Sequence, residues 1–149
     1  MASIRETILT AAVSQLQGAG KPAELTVERF RVFQVENGSL PFMVVRPVQE
    51  EVRLATQNRL SPLVERDLRL AVECWAQAGT GLSVDQALDP VLTWAVKALV
   101  GIGNGTLGGL AISVTEDAVE WDGEAAQNYG RCTATFTIRY RTTTQNPEA

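Results

Sequence analysis

The chain of 149 residues contains no histidine. It therefore cannot supply a Ser-His-Asp triad, a Cys-His dyad, a histidine-ligated metal or an imidazole proton shuttle. Its two cysteines, Cys74 and Cys132, are far apart in sequence and form no CxxC motif. Two cysteines do not complete a zinc site, and we interpret both as small buried apolar side chains rather than as a redox pair. We expect no metal and no cofactor.

Long apolar runs and a basic excess are also missing. No run approaches the roughly 20 apolar residues of a membrane-spanning helix, and the N-terminus lacks the features of a signal peptide. We therefore expect a protein made in the cytoplasm, without a membrane partner. The 13 lysines and arginines against 17 aspartates and glutamates leave a net charge of −4. Because duplex binding normally needs a basic excess, sequence-specific DNA binding is disfavoured, whereas a wall past which DNA moves is allowed.

The sequence does contain enough apolar residues for a core. Hydrophobic residues make up 45% of the chain and charged residues 20%. Domains of about 100–150 residues are the commonest size, so we expect residues 1–149 to form one domain. The polar residues 143–149 are expected to form a mobile tail.

The first part of the chain predicts one helix and two strands. Apolar residues recur at helical spacing from Ile4 to Leu16, and Ser3 with Glu6 fits a capping box. A glycine- and proline-containing segment ends this helix. Residues 25–35 and 42–52 then read as strands. Pro47 lies in the second strand and predicts that this strand is an edge or is bent there.

The middle of the chain predicts a strand followed by a helix. Apolar and polar residues alternate from Val64 to Ala78, which indicates a half-buried strand; a helix over residues 61–78 is the competing interpretation. The next apolar pattern is helical and ends at Gly101. This helix either kinks at Pro90 or begins there, with Asp89 as its N-cap, after a turn at residues 83–88.

The last part predicts a hairpin. One strand runs over residues 110–121 with a bulge near Glu116–Ala118, and a strongly alternating strand runs over residues 130–142. The resulting order is α-β-β-β-α-β-β. Helices separated by runs of strands predict an α+β fold, with a mainly antiparallel sheet of about five strands packed by two helices.

Catalytic motifs are weak. The segment Gly103–Gly108 matches GxGxxG, but it follows a helix and opens a strand, which is the reverse of a nucleotide-binding loop. The adjacent acids Glu50–Glu51 and Glu116–Asp117 point to opposite faces of their strands, so we interpret them as solvated surface residues. The acidic stretch over residues 116–124 is suited to lining a channel or repelling a wrong partner. We expect no catalytic residues and no enzymatic activity.

Arginine and tryptophan supply the candidate interface residues. Arginine outnumbers lysine, which suits planar contacts with carboxylates at protein interfaces, although a scatter of solvated charges is the alternative. Trp75 is predicted to point away from the core, and an exposed tryptophan is a frequent hot spot. The candidate interface residues are Arg29, Arg31, Arg59, Trp75, Arg139 and Arg141.

The layout as a whole resembles one protein family. The segments that carry this resemblance are Ile4-Arg5-Glu6, Arg29-Phe30-Arg31, Leu40-Pro41, Asp89-Pro90-Val91-Leu92, Leu107-Gly108-Gly109-Leu110-Ala111 and Phe136-Thr137-Ile138-Arg139-Tyr140. In these segments and in their order, the chain resembles the tail terminator (minor tail protein U-like) family of long-tailed bacteriophages over nearly its entire length.

The resemblance implies a structural role in the tail-neck region of a virion. Members form a homo-hexameric ring on the finished tail tube, stop its polymerisation and offer a surface to the connector or stopper protein of the head. DNA passes through the lumen of the ring, and the subunit is an α/β sandwich. The competing hypotheses are another neck or head-completion protein of the phage, and an unrelated small ligand-binding or catalytic α+β domain. The predicted inward positions are apolar, which disfavours a ligand site between helix and sheet.

Overall fold

The computed structural model describes residues 2–29, 41–54, 63–78, 81, 83–101, 105–122 and 129–143. The elements are α1 (Ile4–Leu16), β1 (Thr26–Arg29), β2 (Phe42–Leu54), β3 (Leu63–Gln77), α2 (Val84–Val96), a π-helical turn (Lys97–Gly101), β4 (Ser113–Asp122) and β5 (Tyr129–Thr143). This order confirms the predicted α+β class and the sequence α-β-β-β-α-β-β.

The five strands form one mixed sheet with the order β1-β2-β3-β5-β4. β1 pairs with β2 in parallel, and the other neighbouring pairs are antiparallel. β3 and β5, the two longest strands, lie at the centre and pair over their whole length from Leu63–Thr143 to Gln77–Tyr129. The predicted alternation of these two strands is confirmed, and the helical interpretation of residues 61–78 is wrong for residues 63–77.

Two apolar strips of the sheet form the core with the helices. Leu70 and Val72 of β3 and Ala134 and Phe136 of β5 are 0% exposed and face the helices on the inner face of the sheet. α2 packs against both strands. The approach is closest at Gly130, where a Cβ atom would lie 2.3 Å from Cγ1 of Val84, so the start of α2 needs glycine at that point of β5.

The helix ends correct two predictions. Oγ of Ser3 accepts a hydrogen bond from the backbone N–H of Glu6 at 3.2 Å, but the Glu6 carboxylate pairs with Arg29 instead of closing the predicted capping box. α2 begins at Val84 with Ser83 as N-cap, so of the two alternatives the start at Pro90 capped by Asp89 is wrong, and the helix continues through Pro90 as the other alternative requires. Pro90 lies inside the helix, which loses one backbone hydrogen-bond donor there.

Both predicted irregularities of the strands are present. The pairing of β2 with β3 shifts between Pro47 and Gln49, so β2 is bent at the proline as predicted. β2 is an interior strand along Phe42–Val45; beyond Val45, among the described residues, it pairs only with β3. The pairing of β4 with β5 shifts between Glu116 and Ala118, which confirms the predicted bulge.

Several predictions fall outside the described residues: Arg31, Arg59, the second half of the strand predicted over residues 25–35, most of the loops at residues 36–41 and 56–62, Gly103 with Asn104, and residues 144–149 of the tail. Within the described ranges, no helix is long and apolar enough to cross a membrane. The same ranges contain no group of three or more acidic or cysteine side chains that could hold a metal ion.

Candidate functional site

Beyond the bend at Pro47, three strands continue together to the far end of the sheet. We call this region the arm: Gln49–Leu54 of β2, Leu63–Leu68 of β3 and Ile138–Thr143 of β5. β4 reaches the arm only at its first two residues, since Ser113 lies opposite Arg139 and Val114 lies opposite Ile138. The arm therefore has an outer face, an inner face toward α1 and a rim formed by β2.

The outer face of the arm carries a ladder of ion pairs across all three strands. Arg53 of β2 contacts Glu65 at 3.1 Å and Asp67 at 2.7 Å. Arg139 of β5 contacts Asp67 at 2.9 Å and Glu65 at 3.3 Å, and Arg141 contacts Glu65 at 3.3 Å. The hydrogen bond from Arg139 holds the pKa of the Asp67 carboxyl below its usual value, against a smaller opposing effect of burial. Three guanidinium groups are thus paired with two carboxylates of the same chain.

The inner face of the arm contains a second network, centred on Glu50. Its carboxylate accepts hydrogen bonds from Arg5 of α1 at 2.6 Å, from Arg66 of β3 at 3.2 Å and from the hydroxyl of Tyr140 on β5. Arg66 also donates to the hydroxyl of Thr142 at 3.0 Å. The Glu50 side chain is only 12% exposed. The network fastens the first turn of α1 to three strands.

The electrostatics of Glu50 are the opposite of those of a general acid. Burial by itself raises the pKa of its carboxyl, but the hydrogen bonds from Arg5 and Tyr140 and the charges of Arg5 and Arg66 lower it below the usual value. Burial and then the bond to Glu50 raise the pKa of Tyr140 to about 12. Glu50 is thus held as a carboxylate and Tyr140 as a neutral donor. The interpretation of Glu50 as a solvated surface acid is therefore wrong, although Glu50 and Glu51 do face opposite sides of the sheet.

The hollows among the described residues are small or wide open. One of about 430 Å³, which includes Asp89, Trp94 and Lys97, is a shallow depression open to solvent. The hollow on the outer face, which includes Asp67, Arg69 and Thr137, has a volume of about 70 Å³, against about 300–1,000 Å³ for a typical ligand pocket. A larger groove of about 280 Å³ lies at the opposite end of the sheet and is lined partly by Pro22, Pro41 and Pro90. Its described lining has no charged side chain that could act as acid, base or nucleophile.

The large exposed apolar side chains of the described residues fall into two groups. The β2 group consists of Val48, Val52 and Leu54, which are 50%, 55% and 52% exposed. The β4 group consists of Leu110 and Ile112 just before β4 and Trp121 near its end, which are 41%, 46% and 59% exposed. β2 and β4 are separated by β3 and β5, so the two groups lie toward opposite edges of the sheet, although Val52, Leu54 and Trp121 all project from its inner face.

None of the described candidate interface residues belongs to these two groups, although the backbone carbonyl of Arg139 accepts a hydrogen bond from the N–H of Ile112 at 2.7 Å. Arg29 pairs with Glu6 and joins β1 to α1, while Arg139 and Arg141 meet in the ladder. Trp75 faces away from the core, opposite Arg131, as predicted, but it is half-buried, and the Arg131 guanidinium lies 5.3 Å from the centre of its ring. A role of these residues at contacts stays a prediction.

Sequence reasoning missed Glu50 and the two apolar groups. Strand alternation does assign Val52 and Leu54 to one face of β2, which is the available signal. Strand alternation does not indicate that, among the described residues, no helix covers the face of β2 that carries Val52 and Leu54. The exposure of Trp121 likewise could not be predicted, because it depends on β4 being an edge strand of the sheet.

Comparisons with known proteins find remote matches among solved structures. No family model matches the chain, and no curated protein matches it. A chain from a structure entitled "Virion of native gene transfer agent (GTA) particle" is 14% identical, with a TM-score of 0.47; the match covers 94% of this chain and 92% of that chain. A match at this level assigns no function to the chain.

Proposed function

We propose that the protein is a structural subunit, not an enzyme, that closes the tail tube of a phage as a homo-hexameric ring. In this proposal it ends tube polymerisation and provides the joining surface for the head. Its partners are further copies of itself, the tail tube protein and the connector or stopper protein, and its place is the tail-neck region of the virion. The observation that carries the proposal is the pair of exposed apolar groups on β2 and β4.

Exposed apolar side chains toward two opposite edges of one subunit suit a closed ring. On the β4 edge they lie at the two ends of the strand, with Leu110 and Ile112 at one end and Trp121 at the other. Large apolar side chains that cluster at the surface mark interaction sites more often than single exposed ones do. In a ring, each subunit offers one patch to one neighbour and a different patch to the other neighbour. We propose that the β2 group of one copy meets the β4 group of the next.

The charges of the described surface fit this arrangement. The arginines of the arm are engaged by Glu65, Asp67 and Glu50 of the same chain, which favours a stiff arm over an arm that grips another charged molecule. β4 carries four acidic residues and no basic one: Glu116, Asp117, Glu120 and Asp122. An acidic strand facing the lumen would repel the phosphates of passing DNA.

The proposed ring is tested with two variants that each remove one patch. Val52→Thr/Leu54→Thr removes the β2 group, and Trp121→Thr removes the bulkiest side chain of the β4 group. Threonine is chosen because it retains a high preference for strands. Thr115→Ser, at an exposed position of β4, is the matched control. Native mass spectrometry and negative-stain electron microscopy give the assembly state, and circular dichroism checks that each variant folds.

The wild type and Thr115→Ser are expected to form rings of six with an open lumen, and each patch variant alone is expected to stay monomeric. An equal mixture of the two patch variants should form dimers and nothing larger, because one intact β2 group and one intact β4 group remain per pair. A wild type that stays monomeric at all concentrations, or patch variants that form rings normally, would contradict the proposed ring.

The position in the particle is tested separately. Immunogold labelling of particles that contain the protein should mark the head-proximal end of the tail tube. Label on the head vertex of tailless particles would instead identify a head-completion protein, and label on neither would refute a role in the neck.

A further inference from the structure

The two cysteines of the chain lie directly opposite each other in the sheet. Cys74 of β3 and Cys132 of β5 are partners in the antiparallel register. Both are free thiols, and both are 0% exposed. They are the only cysteines in the sequence. The two cysteines are far apart in sequence, and the register of β3 and β5 brings them together.

The register satisfies the main geometric demands of a disulfide. Residues directly opposite in an antiparallel pair have Cα atoms about 4.5–5.5 Å apart, and disulfides join Cα atoms about 4.4–6.8 Å apart. Both side chains point to the inner face, because Cys74 and Cys132 belong to the core there. The thiol of Cys74 also donates a hydrogen bond to the backbone carbonyl oxygen of Val72, with the sulfur and oxygen atoms 4.0 Å apart. Closing the bond requires only a small approach of the two Cβ atoms.

We propose that Cys74 and Cys132 form a dithiol site that small-molecule disulfides of the glutathione type oxidise to an intramolecular cross-strand disulfide. The bond joins β3 to β5, the two central strands of the sheet. It makes the pair a covalent modification site rather than two independent core residues. This inference does not rest on the proposed ring.

The reaction is balanced by one molecule of oxidised glutathione. The Cys132 thiol loses its proton to solvent, and its thiolate attacks one sulfur of the oxidant, which forms a mixed disulfide and releases one glutathione thiolate. The Cys74 thiol then loses its proton, and its sulfur attacks the Cys132 sulfur of the mixed disulfide. This step releases the second glutathione. The two cysteines are oxidised by two electrons, and the oxidant is reduced to two glutathione molecules.

The environment of the pair favours Cys132 as the first nucleophile. The interaction with the Cys132 side chain, and then burial, raise the pKa of the Cys74 thiol. The interaction with the Cys74 side chain lowers the pKa of the Cys132 thiol, with burial acting in the opposite direction. The thiolate is the reacting form, so the cysteine that ionises more readily attacks first.

Access to the pair requires the near end of the sheet to open. β3 ends at Gln77 and β5 begins at Tyr129, each three residues from its cysteine. Strand ends open more readily than the centre of a sheet. Oxidation is therefore expected to be slow in the closed sheet and faster in a low concentration of urea that opens strand ends without unfolding the protein.

The experiment exposes the reduced, full-length protein to oxidised glutathione with and without low urea. The reaction is stopped with acid, the protein is unfolded and alkylated with iodoacetamide, and its intact mass is measured. A monomer lighter by two hydrogen atoms, with no alkylation, is the expected product, and peptide mapping should join the peptides of Cys74 and Cys132. The oxidised protein should also melt several degrees higher than the reduced one, because the bond closes a loop of roughly 60 residues.

Two sets of variants complete the test. Cys74→Ala and Cys132→Ala each leave one thiol and should end as a glutathione adduct or a disulfide-linked dimer. The double variant should show no change in melting temperature with the oxidant. If low urea with the oxidant yields two alkylated cysteines, a glutathione adduct at both or only intermolecular bonds, the proposed site is refuted. The wild-type measurements do not need the variants to fold.

Discussion

The two ends of the central strands are stabilised by different interactions. Where β3 and β5 lie under the helices, their inner faces present side chains such as Leu70, Val72 and Phe136, each 0% exposed. In the arm, the same strands are tied by Arg53, Arg139 and their carboxylate partners. The covered end is stabilised by removing apolar surface from water. The arm adds pairs of charges that remain partly in water to the buried side chains of Leu68, Ile138 and Tyr140 on its inner face.

This difference predicts an unequal distribution of stability. Burial of a large apolar side chain contributes about 1.5–3 kcal/mol, whereas an exposed ion pair contributes about 0–1 kcal/mol. The covered end should therefore govern global unfolding. The arm should hold its geometry locally, with the exception of Glu50, whose carboxylate is mostly buried.

Truncation of Phe136 should give the largest loss of stability. The ring is fully buried at the centre of β5, and Phe136→Ala leaves a cavity that the packed sheet cannot close. A loss of about 3–5 kcal/mol in the free energy of unfolding is expected. Urea unfolding followed by circular dichroism measures it. Thr135→Ala, on the opposite face of the same strand, is the control. An equal loss of stability in this variant would contradict the conclusion that burial on the inner face stabilises the sheet more than the outer face does.

Neutralising Glu50 should give an intermediate loss. Glu50→Gln keeps the size of the side chain but removes the charge that Arg5 and Arg66 contact. We expect the free energy of unfolding to fall by about 1–3 kcal/mol. This range already allows for solvent screening of the ion pair with Arg5, which is half-exposed. The matched control is Glu51→Gln on the outer face, where the change should stay within about 0.5 kcal/mol. Equal urea midpoints for Glu50→Gln and Glu51→Gln would contradict the conclusion that the Glu50 carboxylate stabilises the fold through its contacts with Arg5 and Arg66.

The acid side of the stability profile should depend on the same networks. The pKa values of Glu50 and Asp67 are lowered in the folded protein. Their contribution is therefore fully present above the ordinary carboxyl pKa of about 4 and is lost as the pH falls through the lower folded values. Urea midpoints measured from pH 7 to pH 3 should fall below about pH 4. Glu50→Gln should make this decline shallower, and an unchanged decline would contradict the assigned shift of Glu50.

Local patterns predicted the central strands and both irregularities. Alternation over residues 130–142 and 64–78 is a property of each segment alone, because strand side chains point to opposite faces in turn. Pro47 and the slip near Glu116–Ala118 are also local signals, and the pairing shifts occur there. The α+β class followed from the order of such segments.

Features that depend on distant partners were not predictable. Position 90 was a poor guide to the start of α2 because Ser83 caps the helix with Gln86 and the helix tolerates a proline within it. Glu50 becomes buried only when Arg5, Arg66 and Tyr140 converge from three other elements. The same holds for Cys74 and Cys132, since pattern alone gives the face of a strand but not its neighbour.

Removal of Arg141 should have the smallest effect and tests the comparison most directly. Its side chain is 52% exposed, and its one ion pair among the described residues is with Glu65 at 3.3 Å. Without Arg141, that carboxylate stays in contact with Arg53 and Arg139. Arg141→Ala is therefore expected to change the free energy of unfolding by less than about 0.5 kcal/mol. Urea unfolding at low and high salt measures the change, and the small difference should shrink further with salt because exposed charges are screened. A loss as large as that of Glu50→Gln would mean that the ladder acts as one cooperative unit, and the arm would then contribute to global stability as the core does.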